Sequence, residues 1–249
     1  MDTMKIIVAN WKMYGDIESS RVWTKDILSN AAKMPVDTKV VVCPPAPLLP
    51  LLNYALSNSP IKLGGQDCYS QLEGAYTGEI SAKLLKDVGC EYVIIGHSER
   101  RNYFKETNEI VMAKAQQAIK AGLIPIICIG ETEQERAAGK TLSVIERQIL
   151  ESMPSEAQKG NFILAYEPVW AIGSGNLPTM NEIKEVHAAI VKNVSELKTI
   201  DITDVCVLYG GSVKPDNAGE ILALANVFGV LVGGASLNSG DFFRIISSS

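Results

Sequence analysis

Short runs of apolar, largely β-branched residues recur along the chain, separated by longer segments whose apolar positions return with a helical period. The runs are Lys5–Ala9 (KIIVA), Lys39–Cys43 (KVVVC), Ile61–Gly65 (IKLGG), Tyr92–Gly96 (YVIIG), Ile124–Gly130 (IPIICIG), Phe162–Tyr166 (FILAY), Val205–Gly210 (VCVLYG) and Val230–Gly233 (VLVG). Apolar on both faces, they read as strands covered on both sides, as in a parallel sheet. The intervening segments read as amphipathic helices. In Glu109–Lys120, Ile110, Ala113, Ala115 and Ile119 are expected on the inner face, with Lys114, Gln117 and Lys120 outward. Eight strands alternating with helical crossovers predict a (β/α)8 barrel of eight parallel strands. An open doubly wound sheet shares the same repeat and is the structural rival.

A length of 249 residues suits one such barrel, and no linker, charge block or low-complexity tract divides it. A single domain over residues 1–249 is therefore expected. A net charge of −5 gives no reason to expect a nucleic-acid or anionic-membrane partner. The five cysteines are odd in number and form no CxxC pair, which excludes a zinc ribbon and a disulfide framework. Cys43, Cys128 and Cys206 lie in apolar runs and are expected as buried thiols. No apolar signal-like stretch follows a basic start, and no segment reaches the ~18 apolar residues of a membrane span, so the cytoplasm is the expected compartment.

In a parallel α/β protein, function collects where strands end. Those ends carry Asn10 and Lys12 after the first strand, His97 and Glu99 after the fourth, and Glu167 after the sixth. Glycine turns follow the seventh (Gly210, Gly211, Ser212) and the eighth (Gly233, Gly234). Each has an ordinary alternative: a solvated lysine, a structural histidine, a strand-ending glutamate, a tight turn. His187, inside the helical stretch Glu182–Leu197, reads as structural. Convergence of five such features on one end of one barrel is what independent ordinary roles do not produce. Glycine turns let backbone N–H groups approach an anion closely, which points to a phosphate. The segment Pro168–Thr179 (PVWAIGSGNLPT) places apolar residues in a connection directly after Glu167, as a lid that excludes water would.

Six blocks, NWKM at Asn10–Met13, GHSERR at Gly96–Arg101, IGE at Ile129–Glu131, AYEPVWAIG at Ala165–Gly173, YGGSV at Tyr209–Val213 and LVGGASL at Leu231–Leu237, together resemble triosephosphate isomerase. They run in order over essentially the whole chain, and AYEPVWAIG is the most specific. The resemblance implies interconversion of dihydroxyacetone phosphate and D-glyceraldehyde 3-phosphate through an enediol(ate), in glycolysis and gluconeogenesis, without metal or organic cofactor. It implies that Glu167 is the base, with a pKa raised by desolvation under the lid. His97 is implied as the electrophile, a neutral histidine being established for this family. Lys12 supplies positive charge and Asn10 a hydrogen bond; Gly173, Ser212, Gly233 and Gly234 offer backbone N–H groups to the phosphate. Glu99 belongs to the same pattern in a supporting role. A homodimer is implied through the loop Gln66–Glu79, with Thr77 reaching across toward the partner's active site.

The chain departs from the family pattern at Tyr14 (commonly Asn), Ser174 (Thr), Val191 (Arg) and in Asn226–Gly229, commonly an acidic DxDG. Loss of Arg and acid together is expected to leave the chemistry intact, because an unpaired buried charge would cost ~3–5 kcal/mol while replacing a whole pair can be neutral. The rivals are another phosphate-binding barrel enzyme and a catalytically inactive scaffold barrel. A Schiff-base aldolase needs a lysine on a middle strand, and the sixth strand has none. A metal-dependent enzyme needs clustered ligands, and the chain has two histidines.

Overall fold

The computed structural model describes residues 4–172, 177–197 and 205–249. Eight parallel strands form a closed barrel: β1 (Lys5–Asn10), β2 (Thr38–Cys43), β3 (Lys62–Gly65), β4 (Tyr92–Ile95), β5 (Ile124–Ile129), β6 (Ile163–Tyr166), β7 (Val207–Tyr209) and β8 (Gly229–Val232). Closure decides against the open sheet. β1 pairs with β8, Ile6 opposite Gly229 and Ala9 opposite Val232. Gly229 is required there, because a Cβ would stand 1.8 Å from the Ile6 carbonyl oxygen.

Around the barrel run α1 (Ile17–Ser29), α2 (Leu49–Leu56), α3 (Ala82–Asp87), α4 (Ser98–Tyr103), α5 (Asn108–Lys120), α6 (Glu133–Ala137), α7 (Thr141–Ser152), α8 (Met180–Ser195), α9 (Ala218–Leu222) and α10 (Ser239–Ile246). Strand alternation divides the apolar residues into two cores. Val8, Val41, Ile94, Ile126, Ala165, Leu208 and Leu231 fill the barrel interior. Ile7, Val40, Val93, Ile127, Leu164, Val207 and Val230 face the helices. This double burial is why the strands read as continuous apolar runs.

Two sequence expectations are corrected. In α5 the buried residues are Val111, Lys114, Ala115 and Ala118, while Ile110 is 41% exposed. The helix is rotated from the expected face because the Lys114 ammonium meets Asp67 at 2.8 Å and Glu106, and Arg100 joins both carboxylates. A paired lysine can be buried; an unpaired one cannot. Cys206 is only half-buried, at the basal rim of the barrel, whereas Cys43 and Cys128 are fully enclosed.

Candidate active site

The C-terminal ends of the strands surround a cavity of about 550 Å³, lined by Asn10, Lys12, His97, Glu167, Ser212, Gly233 and Gly234 among others. Thus seven of the residues expected from the sequence share one pocket. Gly173 and Ser174 lie outside the described residues.

Each residue is held by its own strand end. After β1 the chain turns so that Lys12 takes a left-handed backbone with φ 54°, and its N–H donates to the Asn10 Oδ1 at 3.0 Å. A non-glycine residue in that region is strained and needs support. Gln66 supplies it, donating from Nε2 to the Lys12 carbonyl at 2.8 Å and to the Cys43 carbonyl at 2.9 Å. The Lys12 ammonium then crosses the mouth to Glu99. After β4, Gly96 turns with φ 66°, and a Cβ there would press to 2.7 Å from Val111. The next residue, His97, caps α4, its Nδ1 accepting from the Glu99 N–H at 3.2 Å. That bond makes Nδ1 the unprotonated nitrogen and leaves Nε2 to carry the ring proton into the cavity.

Glu167 directly follows β6, with its side chain 2% exposed. Its Oε2 accepts from the Ser98 N–H at 2.9 Å. Its Oε1 lies 2.9 Å from His97 Nε2 but is buried without an aligned hydrogen-bond donor. Burial pushes the carboxyl pKa up, but His97, the Ser98 N–H and the Lys12 charge outweigh burial and hold it below the ordinary 4.5. In this resting arrangement the raised pKa expected from lid desolvation is therefore reversed. His97 responds in kind: burial disfavours the imidazolium, yet the Glu167 and Glu99 carboxylates draw the ring's pKa above 6.5. Both shifts belong to the pair and last only while Glu167 rests against the ring.

The glycine turns approach closely, as phosphate cradles require. A Cβ on Gly211 would stand 2.2 Å from the Tyr209 hydroxyl, and one on Gly210 would stand 2.9 Å from the Glu167 side chain. Beyond Glu167, Trp170 and Ala171 form a short 3-10 turn at the start of the lid segment. The Trp170 indole donates to the buried Glu131 at 2.8 Å, and its ring lies 3.7 Å below the Arg136 guanidinium.

A sequence model of the family described as triosephosphate isomerase matches residues 5–249. The triosephosphate isomerase of Afipia carboxidovorans is 47% identical over 240 residues, covering 96% of this chain and 95% of that protein. That of a Chelativorans species is 48% identical over 243 residues, covering 96% and 94%. The chain belongs to the triosephosphate isomerase family. The crystal structure of triosephosphate isomerase from Bartonella henselae superposes with a TM-score of 0.89 at 43% identity, covering 98% of each chain.

Among the described residues, the departures from the triosephosphate isomerase pattern sit away from the cavity. Tyr14 is 60% exposed, and Val191 packs on the outer core. Asn226 takes φ 64°, and its carbonyl meets His187 Nδ1 at 3.0 Å. Burial pushes the His187 pKa down to about 4, which fits its structural reading. Phe228 lines a separate cavity at the base of the barrel. Sequence reasoning missed Gln66, Glu131 and Trp170 as supports of the site. Trp170 lay inside the lid segment and Glu131 inside the IGE block, but Gln66 carried no local signal, because its contacts span 54 and 23 residues.

Proposed function

We propose that this chain, working as one (β/α)8 domain over residues 1–249, interconverts dihydroxyacetone phosphate and D-glyceraldehyde 3-phosphate. Glu167 takes a proton from the carbon next to the carbonyl, and the electron pair moves onto the carbonyl oxygen to give an enediolate. His97 Nε2–H polarises that oxygen and passes it a proton, then takes back the proton of the hydroxyl on the neighbouring carbon as that oxygen becomes the new carbonyl. Glu167 then returns its proton to the neighbouring carbon, so atoms balance and no cofactor is called for. Lys12 and Asn10 stabilise the developing negative charge, which preorganised donors do best in a water-poor site. Backbone N–H groups at Ser212, Gly233 and Gly234, with Gly173 from the lid, hold the phosphate. Glu99 steadies Lys12 and the Nδ1 side of His97.

The observation that carries this reading is the buried Glu167 Oε1, which lacks an aligned donor and stands 2.9 Å from His97 Nε2 inside a glycine-walled pocket. When Glu167 turns from His97 to substrate, the pull on the imidazole is released, and burial leaves the ring neutral, as an electrophile must be. The test is a coupled assay with glyceraldehyde 3-phosphate. Wild type is expected to turn over and Glu167→Gln to lose at least about 10²-fold in kcat, since an amide cannot accept the proton. Wild-type inactivity with retained phosphate binding would instead favour a scaffold barrel.

The working unit is a homodimer joined through the 66–79 loop, Thr77 reaching toward Asn10 and Lys12 of the partner subunit, in the cytoplasm. Exposed Met13 (93%), Tyr14 (60%) and Tyr76 (42%) beside these loops support it. Sedimentation showing only monomer at working concentration would overturn it.

A further inference from the structure

At the end of the barrel opposite the candidate active site, the inward side chains leave a second cavity of about 290 Å³. Its wall is mainly apolar, with Ile6, Ile124, Phe162 and Phe228, but Tyr92, Lys39 and Cys206 also line it. Tyr92 is 2% exposed as a residue, and its hydroxyl, which makes no hydrogen bond among the described residues, is not sealed in the core but open to the cavity it lines. Burial first, and then the Glu91 charge, push its pKa up to about 12, so at neutral pH the hydroxyl keeps its proton and can donate. The Lys39 ammonium likewise makes no ion pair among the described residues, whereas neighbouring Lys5 is bound to the carbonyls of Leu222 and Val227. Lys39 is half-buried and lines this cavity together with Cys206.

The cavity thus combines an apolar wall, a phenol hydroxyl with no protein acceptor and a cation with no ion pair among the described residues. We propose that this basal cavity binds a small apolar carboxylate, its ring or chain against Phe228, Ile6 and Ile124 and its oxygens toward the Tyr92 hydroxyl and the Lys39 ammonium. The volume lies at the lower edge for ligand pockets and suits a single ring. The tightly packed barrel interior, with Val8, Val41, Ile94 and Leu231 all at most 3% exposed, separates this cavity from the catalytic mouth. Occupancy is therefore independent of phosphate at the other end.

The test uses benzoate as the probe, with inorganic phosphate present to occupy the catalytic pocket. Binding is read by saturation-transfer NMR and by protection of Cys206 from a maleimide. Cys206 is the one cysteine of the five that is not fully buried, so the labelling is site-specific. Saturable binding is expected, with protection of Cys206 and no competition from phosphate. Tyr92→Phe and Lys39→Gln are each expected to weaken binding by about tenfold, the loss of one charge-assisted hydrogen bond. Phe228→Asp is expected to abolish it, and neutral benzamide to bind more weakly than benzoate. Tyr92→Phe preserves the packed ring, so retained isomerase activity in that variant certifies its fold. Absence of saturable binding, displacement by phosphate, or equal affinity in wild type and both conservative variants would each overturn the proposal.

Discussion

Glu167 combines near-complete burial with a pKa below the ordinary value, two properties that oppose each other. Burial favours the neutral acid, and three nearby positive or donor groups prevail over it. If Glu167 is the base, kcat/KM depends on its ionised form in the free enzyme. As pH falls, activity is lost only when the carboxylate is protonated. With the pKa held low, the acid limb therefore lies below pH 4.5, once the ionisation of the substrate's own phosphate is accounted for. A limb above that value would contradict the pairing with His97 and Ser98. The same pairing has a reciprocal consequence. In Glu167→Gln the carboxylate that most raises the His97 pKa is gone, and burial, the largest influence, is left to push it down. Nitrogen-15 NMR of the ring is expected to show a lower His97 pKa in the variant than in ligand-free wild type. The identity of these groups was legible in the sequence because each sits at a strand end. The sign of the Glu167 shift was not, since it depends on which way one side chain is turned.

Elements were legible where a single physical cause produced them. All eight strands lie where apolar runs predict them, because a barrel strand is covered on both faces and apart from its ends must be apolar throughout. Helix α5 shows the limit. Its buried face includes Lys114, and hydrophobic periodicity cannot foresee a charge paired across 47 residues with Asp67. The cluster of Lys114, Asp67, Glu106 and Arg100 fastens the start of the 66–79 loop to α4 and α5. Breaking it from one side leaves carboxylates buried near a vanished cation. Lys114→Met is expected to destabilise the protein by about 3–5 kcal/mol. Adding Glu106→Leu, which removes the most deeply buried stranded carboxylate and leaves Arg100 paired with Asp67, is expected to recover much of that loss. Urea denaturation of the single and combined variants measures both, and a single variant as stable as wild type would show that the cluster carries no net strain when broken.

At the scale of the whole molecule, a protein of net charge −5 has to attract a phosphate dianion. Long-range charge and local field must then disagree at the mouth. Of the cations lining the catalytic cavity, Lys12 is bound to Glu99, and Arg244 is bound to Asp216 with Asp241 also near. Lys214 also lines it, is exposed, and its ammonium makes no hydrogen bond or ion pair among the described residues. It is thus the cation at this rim whose field reaches solvent with no partner to cancel it. Because it touches none of the proposed reacting groups, its effect belongs to encounter and not to chemistry. Lys214→Glu is expected to lower kcat/KM by about three- to tenfold at low ionic strength while leaving kcat within about twofold. The deficit should shrink as salt approaches ~0.15 M, where the Debye length falls to about 8 Å. Steady-state kinetics across a salt series distinguishes the two roles. A salt-independent loss in kcat would instead place Lys214 in contact with the bound substrate.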